Sequence, residues 1–185
     1  MPNWCFNCLT VSKHNESGLK LIQAFKPDHA QGEVDASPFM ALMPTPDELM
    51  ATQASFGSND PELIAKNEAN IKKFGHANWY DWRLANWGTK WDASEVCFTE
   101  EDDTCATIRF DTAWSPPTEL LQWYAEQNPD VIFVNTYDEE GMGFEGFECN
   151  GPESGFEQQC WETYEAPRFE DLLDQIPEGQ AHSEK

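Results

Sequence analysis

Four tryptophans fall within thirteen residues of one segment, Trp79, Trp82, Trp87 and Trp91, and two bases, Arg83 and Lys90, are interleaved with them. Indole faces stack on nucleobases or sugars, and a neighbouring guanidinium or ammonium can hold a charged group or sit over a ring. Trp79, Trp82, Arg83, Trp87, Lys90 and Trp91 therefore form one candidate ligand lining. The competing reading is that the indoles pack this segment onto the rest of the protein, with Asp81 and Asp92 bonding the ring N–H groups or pairing with Arg83 and Lys90. Two bases in so acidic a chain make a poor funnel for a polyanion, so packing is the favoured reading.

Other motifs carry weaker chemistry. Gly141-Met142-Gly143-Phe144-Glu145-Gly146 spells G-x-G-x-x-G after an apolar run, but a dinucleotide site needs a helix there, and Phe144–Cys149 reads as a strand among acids. Cys5 and Cys8 form a C-x-x-C, yet strand alternation puts them on opposite faces, and Cys97, Cys105, Cys149 and Cys160 supply no second close pair. The cysteines are read as reduced thiols. Glu100–Asp103 and Asp138–Glu140 lack the alternating ligands of a calcium loop. The four histidines are scattered, and although a Cys–His pair such as Cys97 or Cys105 with His76 stays open, nothing marks either thiol as activated. No catalytic residue, metal or cofactor is assigned.

Charge is the stronger signal. The chain carries a net −23, and residues 93–185 hold 23 acids against Arg109, Arg168 and Lys185. Between Arg109 and Arg168 there are 13 carboxylates and no base. Such a surface repels nucleic acid and anionic lipid and attracts basic protein, although acidity also serves solubility alone. Lys66, Lys72 and Lys73 form the one basic cluster, read as a solvated face. The candidate acidic face comprises Glu119, Glu126, Asp130, Asp138, Glu139, Glu140, Glu145, Glu148, Glu153 and Glu157.

The elements that must position these residues follow from periodicity. Residues 3–11 read as a strand and 16–26 as a helix stopped by Pro27. The text from 27 to about 58 is loop-like, with a short helical turn at 46–51. Asn59-Asp60-Pro61-Glu62 opens a helix that Gly75 ends. Val96–Phe98 and Cys105–Phe110 form a hairpin around Glu100–Asp103, Ser115-Pro116-Pro117 opens a helix ending near Asn128, and Val131–Tyr137 pairs with Gly143–Cys149. A last helix holds Phe169, Leu172, Leu173 and Ile176. This order predicts an α+β, ferredoxin-like (split βαβ) antiparallel sheet with helices on one face and a long, helical, Trp-rich insertion at about 27–92. Residues 1–177 are expected to form a single domain and 178–185 to fray. No apolar run could cross a bilayer and no leader pattern opens the sequence, so a soluble, cytoplasmic protein is expected.

Met1-Pro2-Asn3-Trp4-Cys5, followed by Asn7, Leu9 and Val11, and the motif Asn86-Trp87-Gly88-Thr89-Lys90-Trp91-Asp92 resemble the YubB-type (Api-like) family of plasmid and bacteriophage proteins over residues 1 to about 150. The resemblance implies a ferredoxin-like domain and a mobile-element origin, and brings no catalytic residues. The functional expectation is an acidic, DNA-mimic-type inhibitor that binds a basic, nucleic-acid-binding host protein such as a restriction or CRISPR factor. It would touch neither nucleic acid nor membrane directly. The alternative is a non-catalytic module that takes a nucleotide or other small ligand on the Trp-rich segment. The sequence defines no oligomeric state.

Overall fold

A computed structural model describes residues 2–27, 37–52, 60–160 and 169–173. Alternation organises the first strand, β1 (Trp4–Ser12): Cys5, Leu9 and Val11 are fully buried, while Phe6, on the opposite side, is 48% exposed. The chain then forms α1 (Glu16–Ala24). Asn15 caps α1 by accepting the Gly18 N–H at 2.8 Å. A Cβ at Gly18 would stand 1.9 Å from the Ser12 carbonyl oxygen, so only glycine lets the helix start this close to the strand.

Among the described residues, four more helices lie between α1 and the second strand: α2 (Pro38–Leu42), α3 (Asp47–Met50), α4 (Pro61–Phe74) and α5 (Trp79–Trp87). The sequence signals for α4 hold, with Asp60 accepting the Glu62 N–H at 3.0 Å and Gly75 closing the helix in the left-handed region. There follow β2 (Ser94–Glu101), β3 (Cys105–Ala113), α6 (Thr118–Gln127), β4 (Phe133–Glu139), β5 (Phe144–Gly151), β6 (Gly155–Cys160) and α7 (Phe169–Leu173). The six strands form one antiparallel sheet in the order β2-β3-β1-β4-β5-β6. The expected ferredoxin-like core is its 2-3-1-4 portion, with β1 between β3 and β4.

One sheet face carries the main core. Leu21 and Ile22 of α1, Phe25 just after it, Phe39 of α2, Trp87 of α5, and Leu120, Leu121 and Tyr124 of α6 pack on Leu9, Val11, Ile108, Phe110 and Phe133. Each large apolar side chain buried this way contributes roughly 1.5–3 kcal/mol. The Tyr124 hydroxyl donates to Ser17 O at 2.8 Å, tying α6 to the start of α1. The opposite face is covered at one end, where Leu172 of α7 packs with Ile132, Val134, Phe147 and Cys149. Thus the helices lie mainly, and not wholly, on one face.

Three features depart from the sequence reading. Within the expected helical insertion, residues 38–42 and 79–87 form helices whose bounds no stop or period in the sequence marks, and β6 adds an edge strand that the sequence does not signal. Gly141–Gly146 turns from β4 into β5, with Gly143 at φ 72, so no helix opens there to receive a phosphate. The expected fraying at 178–185 and the terminal helical residues 174–177 lie outside the described residues. Among those described, no helix is long and apolar enough to cross a membrane.

Candidate interaction surface

The Trp-rich segment divides into an inner and an outer part. Trp87 is fully buried, its ring N–H donating to Met43 O at 3.0 Å and its ring meeting Phe39 edge-on at 5.7 Å. The Arg83 guanidinium lies 4.3 Å from the Trp87 ring centre and 5.3 Å from that of Trp79. Its Nε donates to Thr45 Oγ1 at 3.0 Å, and burial lowers its pKa. Trp82 leans on Trp87 at 6.1 Å. The proposed lining by Trp79, Trp82, Arg83 and Trp87 is therefore corrected: at its centre, the faces a ligand would need are filled by the protein itself.

The residues that follow complete this packing. The Thr89 hydroxyl donates to Ala113 O at 2.9 Å, and the Asp92 carboxylate accepts the N–H groups of Phe39 at 2.9 Å and Met40 at 3.0 Å, holding the start of α2. Burial raises the pKa of Asp92, against the pull of those bonds and of Arg83. Asn86–Asp92 is thus mainly a brace, and only Lys90 and Trp91 turn outward. Trp91 is 40% exposed and lies 6.1 Å from Trp4. Lys90 Nζ sits 4.0 Å from the Trp91 ring centre and 6.0 Å from that of Trp114, itself 41% exposed.

The ten acids do not share one face. Glu139 and Glu148 are 1% and 0% exposed and face the helices, which corrects their assignment to a binding surface. Glu139 accepts the N–H groups of Gly141 and Met142 and so fastens the β4–β5 turn. Glu148 accepts the Thr118 hydroxyl and, at 3.1 Å, an Asn135 N–H. Asn135 also donates to Asn7 Oδ1 at 3.2 Å, and Asn7 donates to Thr112 Oγ1 at 2.9 Å. Burial is the main cause that pushes the Glu148 carboxyl up to about 7; the bonds from Thr118 and Asn135 oppose it, and Glu119 adds to it.

The remaining acids are exposed but dispersed. Glu119, Glu126 and Asp130 belong to α6 and the chain just after it, on the helical layer; Asp130 accepts the Ser17 hydroxyl at 2.9 Å. Glu140 and Glu153 stand in the β4–β5 and β5–β6 turns. Asp138, Glu145 and Glu157 point to the open sheet side, by register with Phe6 and Cys149. Elsewhere, acids serve structure: Glu101 pairs with Lys13 and Lys26, both at 3.0 Å, and Asp102 accepts the N–H groups of Thr104 and Cys105 in the β2–β3 turn. Those turn bonds lower the Asp102 carboxyl to about 2.

One row on the open face is compact. In register, Asp111 of β3, Phe6 of β1, Asp138 of β4 and Glu145 of β5 lie side by side. They line a shallow depression of about 450 Å³ with Cys8, Arg109 and Thr136. Burial, aided by Glu95, raises the Asp111 pKa. Trp4, two residues before Phe6 on the same strand face, leads from this row to Trp91, Lys90 and Trp114. Asp111, Phe6, Trp4 and Trp114 were not picked out by the sequence reading. Strand alternation carried the signal for the first three; Trp114 was hidden because its outward position follows from a φ of 76 at the end of β3.

Sheet order and helix placement define an α+β domain of the split βαβ class. Residues 86–167 match the family model described as the ferredoxin-like domain in Api92-like protein, in agreement with the family likeness of the tryptophan motif. The crystal structure of protein api92 from Yersinia pseudotuberculosis is similar to 89% of this chain and 100% of that one, with 12% identity and a TM-score of 0.46. No curated protein matches the chain.

Proposed function

We propose that this chain is a non-catalytic interaction protein of mobile-element origin whose exposed carboxylates hold a basic, nucleic-acid-binding host protein where DNA would otherwise bind. The observation that carries the reading is the row Asp111, Phe6, Asp138, Glu145 on an open sheet face. Neighbouring strands stand about 4.8 Å apart, so the row presents three carboxylates within one small patch around an exposed ring. Arg109, the one base between residues 93 and 160, lines the same depression beside Cys8, so the three carboxylates outnumber a single cation there. Such a field draws basic protein surfaces by the same attraction that phosphates exert on them. A host nuclease of the restriction or CRISPR kind has the required basic groove.

The reading differs from the sequence expectation in which acids act. Asp138 and Glu145 stay, Asp111 joins them, and Glu139 and Glu148 leave. The ligand-module alternative loses its support, because Arg83 and Trp87 are occupied internally. The test is binding to a basic DNA-binding protein with duplex DNA as competitor across a salt series. Binding that weakens with salt and yields to DNA supports the reading, and binding indifferent to both contradicts it.

A further inference from the structure

The aromatic cluster beside the acidic row supplies a second recognition element. Trp91 and Trp114 are each about two-fifths exposed, Phe6 nearly half, and Trp4 connects them. Large exposed rings in one patch mark an interaction site more often than chance scatter does. The charge around them decides which partner chemistry fits. Lys90 already lies against Trp91 and faces Trp114, so these rings accept a cation on the surface of this protein. Asp111, Asp138 and Glu145 lie in register with Phe6, two residues beyond Trp4 on the same face, where they meet the rest of a basic segment. Arginine suits such a surface better than lysine, since its planar, weakly hydrated guanidinium stacks on an indole and still bonds a carboxylate.

We infer that the Trp4, Trp91 and Trp114 patch docks arginine side chains of an extended basic segment, whose further cations reach the Asp111, Asp138 and Glu145 row. The inference rests on the acidic-face reading above and adds to it a chemical preference that charge alone does not give. Lys90 holds the place of the incoming guanidinium and is displaced by it.

The test uses nona-arginine and nona-lysine peptides on the full chain, by calorimetric titration and by the indole N–H signals in NMR. Nona-arginine is expected to bind roughly two- to fivefold more tightly than nona-lysine, an advantage worth about one exposed cation–ring contact, since lysine makes such contacts too, but less well. It should shift the Trp91 and Trp114 signals while leaving that of buried Trp87 in place. Trp91→Ala with Trp114→Ala should remove the preference and leave a salt-sensitive affinity common to both peptides. Because both side chains are surface-exposed, thermal unfolding confirms that the double variant stays folded, and Trp91→Leu serves as a milder second variant. Equal binding of the two peptides, with loss on Asp138→Asn and Glu145→Gln, overturns the arginine inference and leaves the acidic-face reading standing. Binding unaffected by those acid variants overturns both.

Discussion

Asp138 and Glu145 stand directly opposite each other across β4 and β5, two like charges as a cross-strand pair on an open sheet face. Such pairs destabilise a sheet, by an amount on the order of 0.2–1 kcal/mol. A surface arranged for stability alone would place a base at one of the two positions. Asp138→Asn or Glu145→Gln is therefore expected to raise the unfolding midpoint slightly while weakening capture of a basic protein. Urea titration and binding on the same samples read the two effects, and a variant that lost both stability and binding would place these acids in the framework of the sheet.

Glu148 gives the fold a pH dependence of definite sign. Its folded pKa lies near 7, above the ordinary value of 4.5, because burial disfavours the charged form. Below about pH 4.5 both folded and unfolded chains hold the proton. Between there and about 7 the folded chain binds more protons than the unfolded one, so stability falls as pH rises and then levels off. The full loss is on the order of 3 kcal/mol. Glu148→Gln should flatten this slope, and urea midpoints across the interval would show it. An unchanged slope would assign the dependence to another group.

Trp87 and Trp91 separate core from surface within one motif. Trp87→Ala should cost roughly 3–5 kcal/mol, the usual range for emptying a large aromatic site. Trp91→Ala, which loses the Trp4 and Lys90 contacts but empties no buried site, should cost clearly less, about 1 kcal/mol. Chemical denaturation of the two variants makes the comparison, and similar costs for both would contradict the division of the segment into brace and surface.

Gly18→Ala tests the junction of β1 and α1. The added Cβ would press on a backbone oxygen, not on a flexible side chain that could move away. Destabilisation of about 1–3 kcal/mol is expected. A melting temperature equal to that of the parent would show that the junction has slack.

Much of the scaffold was legible in the sequence, because β1, α4, α6 and β4 each pair a clear period with a clear stop. Helix α5 was not, since Trp, Asn and Asp are weak helix formers and the helix is held by the buried rings of Trp87 and its neighbours. Strand β6 was missed because its text, Gly-Phe-Glu-Gln-Gln-Cys, has little apolar alternation; it sits at the edge of the sheet. The acid placement was legible in part. Asp138 and Glu139 are consecutive in a strand and so must point to opposite faces, as must Glu145 and Glu148, three apart. Alternation alone could not say which side the helices would cover. That side is settled by Thr118 at the start of α6, whose hydroxyl meets Glu148.

The most direct measurement is capture of a basic DNA-binding protein by the parent chain and by the variant combining Asp111→Asn, Asp138→Asn and Glu145→Gln, with duplex DNA as competitor at low and high salt. The parent should bind the protein at low salt, release it at high salt and yield it to DNA, while the triple variant, folded and no less stable, should fail to bind. Equal capture by the two chains, or capture that DNA does not disturb, would contradict the assignment of this face as a stand-in for nucleic acid.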